Sequence, residues 1–340
     1  MFRQSSILIT GASGEIGHSL IDRLAAASSK PIVTLDLNRL AEEPARKVKA
    51  QFIGDIRQPE MLERIVAAHE VDAVYHLAAL LSTRSEFSPA LAHKVNVEGT
   101  LNLLEFAQKQ GESHGRPVLF FFPSSIAAYG LPTLAAKTEA GKIGEDEFNF
   151  PTTMYGANKL YCEHLGRYYA GHYKQLSSET LSGKIDFRCI RFPGLISAVT
   201  VPSGGTSDYA PEMIHAAAQG EPYACFVRPD ARIPFMAMPD AVEAIWRCVT
   251  CPKEKLTRTV YNIGAFAPSA GNVEAIVRQA FPNAAITYDL DAKRQAIIDS
   301  WPADVDDSAA RKDWGHAPQY GLDAAFGEYL IPQIRRRYGV

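Results

Sequence analysis

Apolar residues in the first half of the chain fall into short unbroken runs separated by stretches of helical period. Ser6-Ile7-Leu8-Ile9-Thr10 predicts a buried strand, and 16–27, with Ile16, Leu20, Ile21 and Leu24 on one side, predicts an amphipathic helix. Strand-sized runs recur at 31–36, 51–55, 73–77, 117–122 and 186–191, each pair separated by enough chain for a helix. Such alternation predicts an α/β protein whose parallel sheet is covered on both faces. Beyond Arg191 the spacing turns irregular and rich in proline and glycine. That part is expected to cap the carboxyl edge of the sheet, where ligands bind in open α/β folds. Residues 131–150 and 175–184 lose apolar periodicity to Gly, Ser, Thr, Lys and Glu, and read as surface excursions.

Between the first strand and the first helix lies Gly11-Ala12-Ser13-Gly14-Glu15-Ile16-Gly17. Three glycines so spaced permit a tight turn, close approach of backbone to a pyrophosphate and tight helix-strand packing, with the helix N-terminus facing the phosphates. The turn predicts a dinucleotide site and a Rossmann-type doubly wound parallel sheet. Residues 1–192 would form the dinucleotide-binding part, and 193–340 mainly a smaller C-terminal substrate-binding cap with some segments returning to the core. Asp36 ends the second strand about twenty residues past the glycines, where a carboxylate accepts ribose hydroxyls and repels a 2'-phosphate. This favours NAD over NADP, a preference that nearby Arg39 weakens. Asp55 and Ile56, after the third strand, would flank the adenine, and Leu77, Ala78 and Ala79, after the fourth, would floor the nicotinamide half.

A second constellation carries proton chemistry. Tyr155-Gly156-Ala157-Asn158-Lys159 opens a predicted helix that runs to about Tyr173, placing tyrosine and lysine on one face. Oxidising an alcohol needs a base for its hydroxyl proton, and a tyrosine of ordinary pKa near 10 needs a neighbouring cation to serve near neutrality. Ser124 and Ser125 close the fifth strand; neighbours on a strand face opposite ways, and spacing leaves open which one points inward.

Composition removes several function classes. Lys plus Arg total 35 against 38 Asp plus Glu, a net charge of -3 without a long basic block, which disfavours nucleic acid as a partner. No run approaches the roughly twenty apolar residues of a membrane span, and the first residues lack a signal-peptide pattern, so a soluble, cytoplasmic protein is expected. The five cysteines are scattered and fit reduced thiols. Cys248-Val249-Thr250-Cys251 has the spacing of half a zinc site but no second pair, and predicts a helix end, with no metal expected. His76 reads as a packed or hydrogen-bonded side chain rather than a base.

The glycine turn, the strand-end serines and the Tyr155/Lys159 pair together resemble the extended short-chain dehydrogenase/reductases, over essentially the whole chain. The resemblance implies that a serine hydroxyl, Ser125 in the family's usual register, polarises the reacting oxygen, that Tyr155 moves the proton, and that Lys159 also holds the nicotinamide ribose. Asn96 matches the family's structural asparagine. Three segments, 192–197, 204–209 and 294–315, resemble the short-chain L-threonine 3-dehydrogenase branch, which implies NAD-dependent oxidation of the threonine 3-hydroxyl to 2-amino-3-oxobutyrate. Ser82 and Thr206 would then bind the amino-acid end of a small-molecule substrate, with Gly194 leaving backbone room beside it. The 233–238 segment departs from that branch, with Ala237 where a tyrosine is usual. Two rivals remain open. A nucleotide-sugar epimerase or dehydratase would retain NAD and usually carries Arg-x-x-Asn where Arg191-Phe192-Pro193-Gly194 stands; a non-catalytic dinucleotide sensor would show a spoiled Tyr/Lys pair. The family also implies a homodimer built from the helices around 95–110 and 155–173.

Overall fold

The computed structural model describes residues 4–177, 183–202 and 204–340. In chain order the strands are β1 (Gln4–Thr10), β2 (Ile32–Asp36), β3 (Ala50–Ile53), β4 (His69–His76), β5 (Val118–Ser125), β6 (Lys142–Ile143), β7 (Ile185–Phe192), β8 (Gly194–Ile196), β9 (Tyr223–Cys225), β10 (Phe235–Ala237), β11 (Val260–Asn262), β12 (Ile286–Tyr288) and β13 (Asp304–Val305). Seven of them make one sheet in the order β11-β7-β5-β4-β1-β2-β3, with every pairing parallel. This is the Rossmann-like fold that the alternating pattern predicts.

The pleat sorts the core. Ile7 and Ile9 pack against Leu20, Ile21 and Leu24 of the Glu15–Ala27 helix and Ile245 of the Met238–Thr250 helix. Leu8, between them, points to the other face, among Val33, Leu103 and Leu104. Phe121 likewise joins the first layer, while Phe120 and Phe122 join the second. Each of these rings is almost wholly buried, a gain of about 1.5–3 kcal/mol apiece. β4 begins earlier than its apolar run because Gln4–Ser6 pairs with His69–Val71 beyond a register shift at Ser6/Ile7. β11 adds a seventh strand on Cys189–Arg191, three residues too short for a periodic signal.

A third core lies mainly in the residues expected to form the cap. Tyr209, Met213, Ile214, Phe226, Phe235, Trp301 and Phe326 cluster there, with Ile126, Tyr129 and Leu131 from the loop after β5. The expected surface excursion at 131–150 is corrected. Its Leu134–Ala140 helix is capped by Thr133, the Leu131 amide donates to the Ser300 carbonyl at 2.8 Å, and β6 pairs with β13. Lys137 is buried, its ammonium donating to the Ile298 carbonyl at 2.7 Å, and burial lowers its pKa to about 8. Of the stretch 175–184, residues 178–182 lie outside the described residues; Leu176 is exposed, and the Lys184 amide donates to Gln108. Among the described residues no helix is long and apolar enough to cross a membrane.

Candidate active site

At the carboxyl end of β1 the chain turns through the three glycines. Gly11 adopts φ +68°, and a Cβ there would stand 2.4 Å from the Ala78 nitrogen. A Cβ on Gly17 would lie 2.3 Å from the Ala12 carbonyl oxygen, so this glycine lets the first helix rest on the turn. Gly14 is the N-cap of that helix and offers no side chain, which leaves first-turn amides for an anionic ligand, while Ile16 half-buries against the sheet. Thr200, in the cap, donates its hydroxyl to Glu15 and so ties the turn to the cap.

Asp36 closes β2 beside this turn. Its two oxygens accept the Ser13 and Asn38 amides, each at 2.9 Å, and each keeps capacity for a further donor such as a ribose hydroxyl. Asp55 is forked by Arg57, which holds its carboxyl below the usual range, and Ile56 packs against Gly99. Open amides, a glycine cradle and a carboxylate at the second strand's end fit a dinucleotide.

The exit of β4 is locked by polar contacts. The Leu77 amide donates to the Thr10 carbonyl at 2.9 Å, and the Leu77 and Ala78 backbone lines the turn's far wall, with Ala79 following them in the chain. His76 is buried with Nδ1 2.7 Å from the Thr10 hydroxyl and Nε2 2.9 Å from the Thr100 hydroxyl. Burial pushes its pKa down to about 3, so the ring is neutral and serves as a brace. Thr100 donates to the Asn96 carbonyl, which assigns the Nε2-protonated tautomer. Asn96 in turn clamps Leu80, accepting its amide at 2.7 Å and donating to its carbonyl at 3.0 Å.

The Met154–Gly171 helix carries the tyrosine and lysine. Thr153 caps it, accepting the Gly156 amide at 3.1 Å, a contact worth about 1 kcal/mol that fixes where the first turn begins. Lys159 is buried; its ammonium donates to the Pro123 carbonyl at 2.6 Å and lies 5.4 Å from the centre of the Tyr155 ring. Burial lowers its pKa to about 8. Burial also pushes the Tyr155 phenol well above its ordinary value, and its ring packs against the cap core.

The two serines part company. Ser124 is buried on the Phe120/Phe122 side and donates to Glu163 at 2.6 Å, whereas Ser125, half-buried, accepts the Ala127 amide at 3.1 Å where the chain enters the cap. Ser82 begins the short Ser82–Phe87 helix, and the Thr206 hydroxyl, 124 residues away in sequence, donates to its hydroxyl at 3.1 Å. The loop bearing Thr206 is pinned by Thr83 on the Gly204 carbonyl at 2.9 Å and Arg294 on the Gly205 carbonyl at 2.7 Å. Asp208 stands at the N-cap position of the next helix, yet its carboxylate accepts the Gly205 amide at 2.7 Å instead of capping. Gly194 makes room for a neighbour: a Cβ there would lie 2.7 Å from the Phe235 ring. Cys248 and Cys251 end a helix, their carbonyls accepting from Arg188 at 2.7 and 2.6 Å.

Several contributors escaped the sequence reading. Glu163, Thr83, Thr100 and Arg294 were not singled out, although Glu163 follows Lys159 by one helical turn and repeats the Tyr-to-Lys spacing. Arg191, a charge at the end of an apolar strand, was equally visible.

Comparison with known proteins identifies the family. The model of the NAD dependent epimerase/dehydratase family matches residues 7–264. The mitochondrial L-threonine 3-dehydrogenase of Bos taurus is 34% identical over 319 residues, covering 94% of this chain and 80% of that one. Two solved structures superpose over nearly all of both chains. The GalE-like L-threonine dehydrogenase of Cupriavidus necator in its holo form has a TM-score of 0.82 at 34% identity, covering 98% of this chain and 99% of that one. The L-threonine dehydrogenase of Clostridium difficile has a TM-score of 0.85 at 31% identity, covering 99% of each. With more than half its length matched by the family model, this chain belongs to the NAD-dependent epimerase/dehydratase family, within the extended short-chain dehydrogenase/reductases, and is an NAD-dependent oxidoreductase.

Proposed function

We propose that this enzyme binds NAD and oxidises the 3-hydroxyl of L-threonine to 2-amino-3-oxobutyrate. The observation that carries the reading is the hydrogen bond between Ser82 and Thr206, which gathers two small hydroxyls from segments distant in the chain. A small zwitterion calls for a few placed hydroxyls and amides, not a long charged groove.

In this reading the glycine turn and the amides from Ser13 to Gly17 hold the pyrophosphate, and Asp36 holds the adenosine ribose. Asp55 and Ile56 border the adenine, Leu77, Ala78 and Ala79 support the nicotinamide half, and Lys159 reaches the second ribose. Asn96 acts one step back, keeping Leu80 and hence the Ser82 turn in place. The bound nicotinamide supplies the hydride acceptor. Tyr155 takes the hydroxyl proton, Lys159 favours the tyrosinate by its charge, and the Ser125 hydroxyl donates to the substrate oxygen. Ser124, occupied by Glu163, does not share that task. Gly194 shapes the cap through Phe235.

The test is purified protein with NAD and a panel of L-threonine, L-serine, small hydroxy acids and UDP-sugars. NADH absorbance should rise with L-threonine, and NADP should replace NAD at least about tenfold less well, because Asp36 repels a 2'-phosphate. Sugar interconversion without net NADH would replace this reading by the epimerase one. For quaternary structure we propose a homodimer. On the Met154–Gly171 helix Ala157, Tyr161, His164 and Tyr168 form one exposed stripe, and Leu101 is exposed on the Gly99–His114 helix. Light scattering should give twice the chain mass; a monomer at micromolar concentration would remove the proposal.

A further inference from the structure

We propose that Glu163 is a positioning residue for this site, its buried carboxylate fixing the strand end that presents Ser125 and sustaining the positive charge on Lys159. The proposal rests on the Tyr155, Lys159 and Ser125 roles given above.

Glu163 is completely buried and forks Arg191, whose Nε and Nη2 donate to its two oxygens at 2.8 and 2.6 Å. The Ser124 hydroxyl donates to one of the same oxygens at 2.6 Å. Arg191 completes its set with the Glu145 carbonyl at 3.0 Å and lies over the Tyr129 ring. A pair so completely removed from water is costly, and packed apolar residues serve stability as well or better. Its position supplies a reason beyond stability. One helical turn separates Glu163 from Lys159, and one residue separates Ser124 from Ser125.

The two effects are distinct. Holding Ser124 to the Glu163 side fixes the pleat at the last residues of β5, so Ser125 must face the opposite way, toward the cap. The charge effect follows from what surrounds Lys159. Tyr155, Cys162 and Glu163 face it from its own helix, Cys189 from β7, His76 from β4, and the Phe122 ring and Pro123 carbonyl from β5. Burial raises both thiols, Cys162 to about 11, and keeps His76 neutral. Among the described residues facing Lys159, Glu163 is thus the anion left to oppose the loss of its proton. Removing its charge should lower the Lys159 pKa, and the Arg191 charge left behind pushes the same way.

The test uses Glu163→Gln, which keeps shape, and Ser124→Ala, which removes one hydroxyl and leaves the ion pair. Lys159 is titrated directly by NMR in protein labelled with 13C at lysine Cε, alongside the pH profile of kcat/KM for L-threonine and NAD affinity. In Glu163→Gln the Lys159 titration and the alkaline limb of the profile should both move down by about one pH unit, with NAD affinity within about twofold. Ser124→Ala should lower kcat about fivefold with the limb unmoved. An unshifted Lys159 titration in folded Glu163→Gln overturns the charge effect, and an unchanged kcat in Ser124→Ala overturns the strand effect. Should Glu163→Gln not fold, Ser124→Ala decides the strand effect, and Glu163→Gln combined with Arg191→Met, which leaves no buried cation without its partner, decides the charge effect by whether the Lys159 titration moves down. The lysine titration needs no substrate, so a shift without threonine oxidation sustains the Glu163 effect while removing the substrate assignment.

Discussion

Replacing Tyr155 by phenylalanine should reduce kcat about 10³-fold while leaving the dissociation constant for NAD within about threefold. The substitution removes one oxygen. The ring stays packed against the cap core, the Lys159 ammonium keeps its Pro123 partner and its place near that ring, and the glycine turn and Asp36 are untouched. What disappears is the proposed proton acceptor. Burial holds the phenol above its ordinary value, so in the native enzyme the rate should climb with pH as tyrosinate forms. It should then level or fall once Lys159, whose pKa burial has brought to about 8, gives up its proton. The residual rate of the variant should lose the ascending limb. NADH absorbance measures turnover and a fluorescence titration measures cofactor binding. A variant that kept a tenth of native turnover would place the base elsewhere, and His76, neutral and braced between two threonines, could not be that base.

The strands were legible in the sequence because the pleat imposes its own arithmetic. Ile7-Leu8-Ile9 and Phe120-Phe121-Phe122 are apolar at every position since each strand is buried on both faces. The glycine turn and the tyrosine-lysine pair were legible for a related reason: each depends on neighbours within about one turn of chain. Illegible features depend on distant partners. Residues 131–150 look polar, yet Leu131 and Lys137 are held by Ser300 and Ile298, and β6 by β13, all some 160 residues later. β11 exists only as an addition to β7. Gly194 reads as open space beside a substrate, whereas Phe235 fills the room it leaves. Which serine faces the cap follows from Glu163, a residue on another element, so the strand alone was silent.

Gly156→Ala should cost about a hundredfold in kcat with the cofactor still bound, because this glycine is where the helix bearing Tyr155 touches the loop after Ser125, the two halves of the proposed proton-transfer site. A Cβ on it would fall 1.9 Å from the Ala127 carbonyl oxygen and 2.9 Å from the Pro151 Cβ. The first obstacle is backbone, in a loop whose Ala127 amide donates to the Ser125 hydroxyl, so it has no rotamer by which to retreat. Ordinary contact begins at 3.4 Å, and the helix start must move from the loop by about 1.5 Å. That displacement separates Tyr155 from Ser125, and misplacements of about 1 Å are enough to lose two orders of magnitude. Helix propensity works in the opposite direction, since alanine in a helix interior is favoured over glycine by about 1 kcal/mol. Overpacking costs about 1–3 kcal/mol, so the net loss of stability should be small and the fold should survive. Circular dichroism and NAD titration should therefore look nearly native while NADH production collapses. If the variant instead retains more than half of native kcat, the contact between the helix start and the serine loop does not set the catalytic distance, and Tyr155 and Ser125 are positioned independently.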